Sequence, residues 1–163
     1  MLLCAEKLED ESVRNAAPIE GAAAASSAAI LFAMVGELDR AERLLAFALH
    51  RQPLNLQSKA RTVTEIRWAQ VHQLKERRGD ALALLQCVVE RCRADEQLRP
   101  LLDFALQHLG KLQFELQDFA NALISLGEAL TLRRHKGEQS LVDSTLLAIE
   151  VVSRTQALDK TGP

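Results

Sequence analysis

The sequence contains no tyrosine, one tryptophan and five phenylalanines, so aromatic residues make up only 4% of its 163 positions. Leucine and alanine dominate the apolar set instead, and both favour helix over strand. Cysteine is scarce as well. Cys4, Cys87 and Cys92 are odd in number and too few for a disulfide framework, which implies reduced thiols of the kind found in a cytosolic protein. Cys87 and Cys92 stand five apart on an expected helix and so point to different faces, whereas a metal pair prefers the CxxC or the i,i+4 spacing.

Charge of one sign is also missing. The formal net charge is −2, which sets up no long-range field toward a nucleic-acid backbone or an anionic lipid surface. Arg133, Arg134, His135 and Lys136 form one basic cluster, placed where cations complement a helix C-terminus. The longest apolar stretch, Gly21 to Val35, is too short for a bilayer span and is followed at once by Glu37 and Asp39. Glu6, Glu9, Asp10 and Glu11 stand where a secretory leader would be basic, and they read most simply as a solvated helix face. The expected setting is the cytoplasm, with no membrane and no nucleic-acid partner.

The chemistry of a catalyst is absent too. His50, His72, His108 and His135 are spread over different helices, with no HExxH, no GxSxG, no phosphate-binding glycine loop and no GxGxxG. No catalytic, cofactor-binding or metal residue is expected. His72 and His108 read as interhelical or groove residues, and Trp68 as packing.

Helical periodicity is present almost everywhere, with 48% hydrophobic and 26% charged residues. Leu98, Leu101, Leu102, Ala105, Leu109, Leu112 and Leu116 share one broad face. Seven glycines and four prolines sit at intervals, as punctuation. Gly36 suits a left-handed helix end, Gly79–Asp80 repeats that signal with Asp80 as N-cap, and Asp118 caps without a glycine. Pro53 and Pro100 mark linkers or first turns. Thr62 with Glu65, and Ser140 with Asp143, resemble capping boxes, the first of which would delay its helix to about residue 63. The expected helices lie near 20–35, 38–51, 58–77, 80–93, 99–116, 119–134 and 138–157, with an ill-defined helix before them. The short turns make paired helices antiparallel neighbours.

An internal repeat runs through this pattern. Ala41, Ala81 and Ala122 each open the second helix of a pair, 40 and then 41 residues apart. Twelve positions before them stand Ala29, Ala69 and Gly110; four after, Leu45, Leu85 and Leu126; seven after, Ala48, Val88 and Ala129. Antiparallel helices that approach closely need small side chains at the crossing, with leucine one turn along filling the space beside it. A single pair cannot bury its apolar face, so such pairs stack.

The register resembles the tetratricopeptide repeat. Leu106, Leu109, Gly110, Ala122, Leu126 and Ala129 match its signature best. Ala25, Ala28, Ala29, Phe32, Ala41, Leu45, Ala48 and Pro53 carry the first unit, and Glu65, Trp68, Ala69, His72, Ala81 and Leu85 a weaker second. The period is similar to that of the subclass with about 40 residues per repeat, and other α-solenoids share the same pattern. The resemblance implies an all-α, right-handed superhelix of three helix-turn-helix repeats near 22–55, 62–95 and 103–136. It adds a capping helix over 138–157, an N-terminal segment over 1–19 and a disordered tail over 158–163. It implies a concave groove, lined here by Ser26, Ile30, Val63, Ile66, Gln70, Gln73, Gln107, Lys111, Phe114 and Glu115, for a peptide or protein segment. The bland alternatives are solvated positions, or a final helix that fills the groove. The lysine-and-asparagine set with which chaperone cofactors of the family hold a terminal carboxylate is missing. The resulting expectation is a non-catalytic interaction scaffold, with a regulatory peptide sensor or a piece of a larger regulator as the rival and an unrecognised enzyme as a third reading. The alanine-rich helix over 20–35 needs a cover, from the N-terminal segment or from a second copy in a homodimer.

Overall fold

A computed structural model describes residues 1–14, 18–52 and 58–160, without the side chains of 12–14, 18–20 and 160. Among these residues every regular element is helical. The order is α1 (Leu2–Arg14), α2 (Pro18–Met34), α3 (Leu38–Arg51), α4 (Lys59–Leu74), α5 (Arg78–Ala94), a 3-10 turn (Arg99–Leu101), α6 (Leu102–Glu115), α7 (Phe119–Lys136) and α8 (Gln139–Lys160). The chain forms two compact units, Met1–Leu84 and Leu85–Pro163, and their boundary falls inside α5.

The turn that closes each helical pair is built the same way three times. After α2, Gly36 takes φ +86°, its N–H donates to the Ala33 carbonyl at 3.1 Å, and the Glu37 N–H donates to Phe32 at 3.0 Å. After α4, Glu76 takes φ +61°, with Glu76 N–H to Gln73 at 3.0 Å and Arg77 N–H to His72 at 2.9 Å. After α6, Gln117 takes φ +62°, with Gln117 N–H to Phe114 and Asp118 N–H to Gln113, both at 2.9 Å. One left-handed residue flanked by two such bonds is the Schellman helix end, which satisfies carbonyls that the helix leaves open. Residues 36, 76 and 117 are 40 and 41 apart, in step with the small-residue repeat.

All twelve repeat positions are buried, eleven of them with no exposed surface. In the first unit α2 packs on α3 through Ala25, Ala29 and Phe32 against Ala41, Leu45 and Ala48, and α1 lies on α2 through Ala5 and Leu8. The alanine-rich helix thus has its cover in the N-terminal segment. Glu9 of α1 pairs with Arg40 of α3, whose guanidinium stacks 3.9 Å from the centre of the Phe32 ring. In the second unit α6 and α7 cross where Gly110 meets Leu126, and α8 packs on α7 through Val152. Full burial of a leucine such as Leu126 contributes about 2 kcal/mol.

Several local expectations are corrected. Gly79 does not end a helix: it lies in the first turn of α5, and Glu76 supplies the left-handed residue three positions earlier. Asp80 therefore sits inside α5 rather than at its cap. α4 starts at Lys59, because Ser58 caps it by accepting from the Arg61 amide at 3.3 Å. Thr62 and Glu65 form no capping box there: the Thr62 hydroxyl donates to the Ser58 carbonyl and Glu65 pairs with Arg61. Ser140 lies within α8, and Asp143 accepts from Gln139. Asp118 does cap α7, accepting from the Asn121 amide at 3.3 Å. α8 continues to Lys160, past the expected end at 157. Pro53 and residues 161–163 lie outside the described residues.

Candidate functional site

The ten groove candidates separate by burial. Ser26, Ile66 and Gln107 occupy one repeat position, 40 and 41 residues apart, and are only 2%, 0% and 3% exposed. That position faces the interior in every pair, so Ile66 offers no surface to a partner. Ile30, Val63, Gln70, Gln73 and Phe114 are half-buried, while Lys111 and Glu115 are exposed. The accessible line along each first helix keeps Ile30, Gln70, Lys111 and Glu115 and replaces the buried position 26, 66 and 107 by its neighbour 27, 67 and 108. It passes through Ser27, Ile30 and Met34 on α2, through Arg67, Gln70 and Leu74 on α4, and through His108, Lys111 and Glu115 on α6. These residues follow steps of three and four, one helical face.

In the first unit, Ser26 and Val63 line a cleft of about 290 Å³ between α2 and α4. Hydrogen bonds organise its floor. Gln52 Nε2 donates to Thr64 Oγ1 at 3.0 Å, and the Thr64 hydroxyl donates to Ser26 Oγ at 3.0 Å. Arg67 Nη1 donates to Ser26 Oγ at 2.9 Å and to Ser27 Oγ at 3.4 Å. Gln70 and Gln73 lie further along α4, outside that cleft. At the far end of α4, Trp68 Nε1 donates to His72 Nε2, whose imidazole is held below its ordinary pKa by burial and then by the nearby Arg77 charge. Arg77 and Lys75 both bind Glu42, and their hydrogen bonds lower its carboxyl to about 2. This ion cluster fastens the turn after α4 to α3.

In the second unit, a cleft of about 410 Å³ opens beside α6 and takes in Gln107, His108 and Lys111. Its floor is an ion pair, Arg133 Nε to Asp103 Oδ2 at 3.1 Å, with both side chains 4% exposed. Arg133 Nη1 also donates to Thr145 Oγ1 of α8 at 2.7 Å, and Lys136 binds both Asp103 and the Pro100 carbonyl. Half of the basic cluster at the end of α7 is thus consumed in holding α6 and α8 together. Gln107 is different: both atoms of its side-chain amide are buried without a hydrogen-bond partner, which costs on the order of 1–3 kcal/mol for each unmade bond. His108 meets the Phe104 ring edge-on at 4.7 Å. Burial, with Lys111 and Arg133 adding to it, pushes its imidazole down to about 4, so the ring is neutral.

Lys111 and Phe114 also line a third cleft, about 290 Å³, whose opposite wall is Ser144, Leu147, Ala148 and Val151 of α8. The last helix therefore covers part of the α6 face assigned to the groove. Within the first unit Ser26 and Val63 share a cleft; within the second Gln107 and Lys111 share one cleft and Lys111 and Phe114 another.

Arg67 and Ser27 were not singled out by the sequence, although each lies three residues before a candidate on the same helix, whereas His108 was read as an interhelical or groove residue. Among the described residues there is no cluster of three or more metal-ligating side chains, and no helix is long and apolar enough to cross a membrane. No family model matches the chain, and a search of curated proteins also finds no match.

Proposed function

We propose that the chain is a non-catalytic interaction module of the tetratricopeptide type, with three helical pairs stacked as a right-handed superhelix and closed by α8. It holds an extended segment of a protein partner against its first helices. The observation that carries this reading is the threefold recurrence of one turn and one buried small-residue set at 40 and 41 residues. In the proposed stack, such a recurrence gives each first helix the same face toward a partner. A surface fixed before binding loses little conformational entropy on meeting a peptide. Because α8 covers part of the corresponding α6 surface, the more open part of this face lies on α2 and α4, with Ile30, Val63, Gln70 and Gln73.

The test is selection of peptides from a random library on the intact chain, followed by amide chemical-shift mapping with a selected peptide. Shifts centred on Val63, Gln70 and Gln73 are expected. Shifts confined to α3, α5 and α7, or a library that returns no binder, would overturn the reading.

A further inference from the structure

α8 sits on α7 as α4 sits on α3. Gln52, at the end of α3, donates from Nε2 to Thr64 Oγ1 of α4 at 3.0 Å. Arg133, near the end of α7, donates from Nη1 to Thr145 Oγ1 of α8 at 2.7 Å. Residues 52 and 133, like 64 and 145, are 81 apart, which is two repeat periods. α8 therefore holds the place of a first helix, the opening of a fourth pair. Its exposure departs from that place. Ala25, Glu65 and Leu106 are 0%, 8% and 1% exposed, but Leu146, the fourth of the series, is 40% exposed. Ser26, Ile66 and Gln107 are all but inaccessible, and their counterpart Leu147 is 63% exposed. In the first unit the next two helices close these positions: Ala25 packs against α3, and Thr64 and Arg67 of α4 bond Ser26. α8 is the last described element, and its corresponding face is open.

That open face is complementary to its own reverse. Asp143, Leu147, Glu150 and Arg154 follow steps of four, three and four, so they form one stripe, and all four are exposed. The stripe lies opposite the residues that pack toward α7, Val142, Thr145, Ile149 and Val152. Reversed about the midpoint between Ala148 and Ile149, it sets Asp143 against Arg154 and Leu147 against Glu150. Leu146 and Val151, also exposed, border it on its two sides. A second α8 laid antiparallel would thus meet acid with base at both ends of the contact. A parallel copy would instead oppose Asp143 to Asp143 and Arg154 to Arg154, which repel. Asp143 accepts from Gln139 through Oδ1 at 2.7 Å, which leaves Oδ2 for a second cation.

We propose that two copies of the chain associate through α8, antiparallel across a two-fold axis, with Asp143 of each paired to Arg154 of the other and Leu147 and its copy between them. From Asp143 to Arg154 the stripe spans about 16 Å along the helix axis, so the interface is small and the dimer weak. Glu150, one turn from Arg154 on its own helix, places a charge near the centre of the contact and weakens it further. The surface belongs to the second unit alone, and the pairing holds whether or not α2 and α4 bind a peptide.

The test is sedimentation equilibrium of the full chain between about 1 μM and about 1 mM. A reversible equilibrium of monomer and dimer is expected. Leu147→Asp should weaken it by about tenfold or more, and Glu150→Leu should tighten it. Asp143→Arg and Arg154→Asp should each weaken it, and both changes in one chain should restore it, since each copy again meets acid with base. Leu3→Asp, on α1 and more exposed still, should leave it unchanged. All these positions are on the surface, and circular dichroism with urea midpoints establishes that each variant is folded. A chain that stays monomeric throughout leaves the face to a helix of another protein and overturns the proposal. So does a dimer indifferent to Leu147→Asp, which pairs by another surface. A double charge reversal no better than either single change rules out the antiparallel register and overturns it as well.

Discussion

Gly110 and Leu126 meet more closely than any larger residue at 110 allows: a Cβ at Gly110 would lie 2.7 Å from Leu126 Cγ and 3.2 Å from the Ala122 carbonyl oxygen. The neighbour is a branching carbon and a helix backbone, neither of which moves cheaply. Gly110→Ala should therefore destabilise the chain by about 1–3 kcal/mol. Gly127, also inside a helix, has nothing within 4 Å of an added Cβ, so Gly127→Ala should stabilise by about 0.5–1 kcal/mol. Urea unfolding of the two variants reads both signs. Equal effects would mean that helix propensity, and not the crossing, governs Gly110.

Asp103 and Arg133 make a buried pair whose partners depend on one another. Asp103→Ala leaves a buried guanidinium without its counter-charge and should cost about 3–5 kcal/mol. Replacing both, Asp103→Leu with Arg133→Met, should cost clearly less than the single change, because no uncompensated charge remains. The comparison is again of urea midpoints. A double variant worse than Asp103→Ala would show that the pair stabilises beyond mutual compensation.

Two imidazoles are held neutral, and stability should follow their titration. The folded pKa of His108 is about 4, and that of His72 is also lowered, whereas an unfolded histidine titrates near pH 6.5. Between these values the unfolded chain binds more protons, so stability is full above about pH 6.5 and falls as the pH drops toward about 4. His108→Gln should flatten much of that slope, as measured by unfolding at a series of pH values. A slope unchanged in that variant would remove His108 as the cause.

Trp68, the one tryptophan, donates to His72 Nε2 and so reports on the same titration. Protonating His72 removes the acceptor. Trp68 fluorescence in the folded chain should step at a midpoint below the ordinary histidine range, and the step should vanish in His72→Gln. A step that survives the substitution has another origin.

How much of this the sequence disclosed depended on where the information was stored. The small-residue register was legible because close approach leaves no choice of side chain: Ala29, Ala69 and Gly110 had to be small. The turns were legible only once. Gly36 announces a left-handed residue, but Glu76 and Gln117 adopt the same backbone with no compositional mark, so Gly79 attracted the break that Glu76 makes. Three of the candidate groove positions are inward-facing, since Ser26 and Gln107 are polar yet buried and periodicity counts polar residues as outward. Arg67 was invisible for the opposite reason: a lone arginine on a helix reads as solvated until its hydrogen bonds to Ser26 and Ser27 can be seen.

The claim on which any shared binding face rests is that the first helix of each of the three pairs ends in the same turn. Scalar couplings and Cα chemical shifts measured by nuclear magnetic resonance give φ directly at residues 36, 76 and 117. Positive φ at Gly36, Glu76 and Gln117 alike is the expected result. A negative φ at Glu76 or Gln117, with helix running on toward Gly79 or through Asp118, would contradict it.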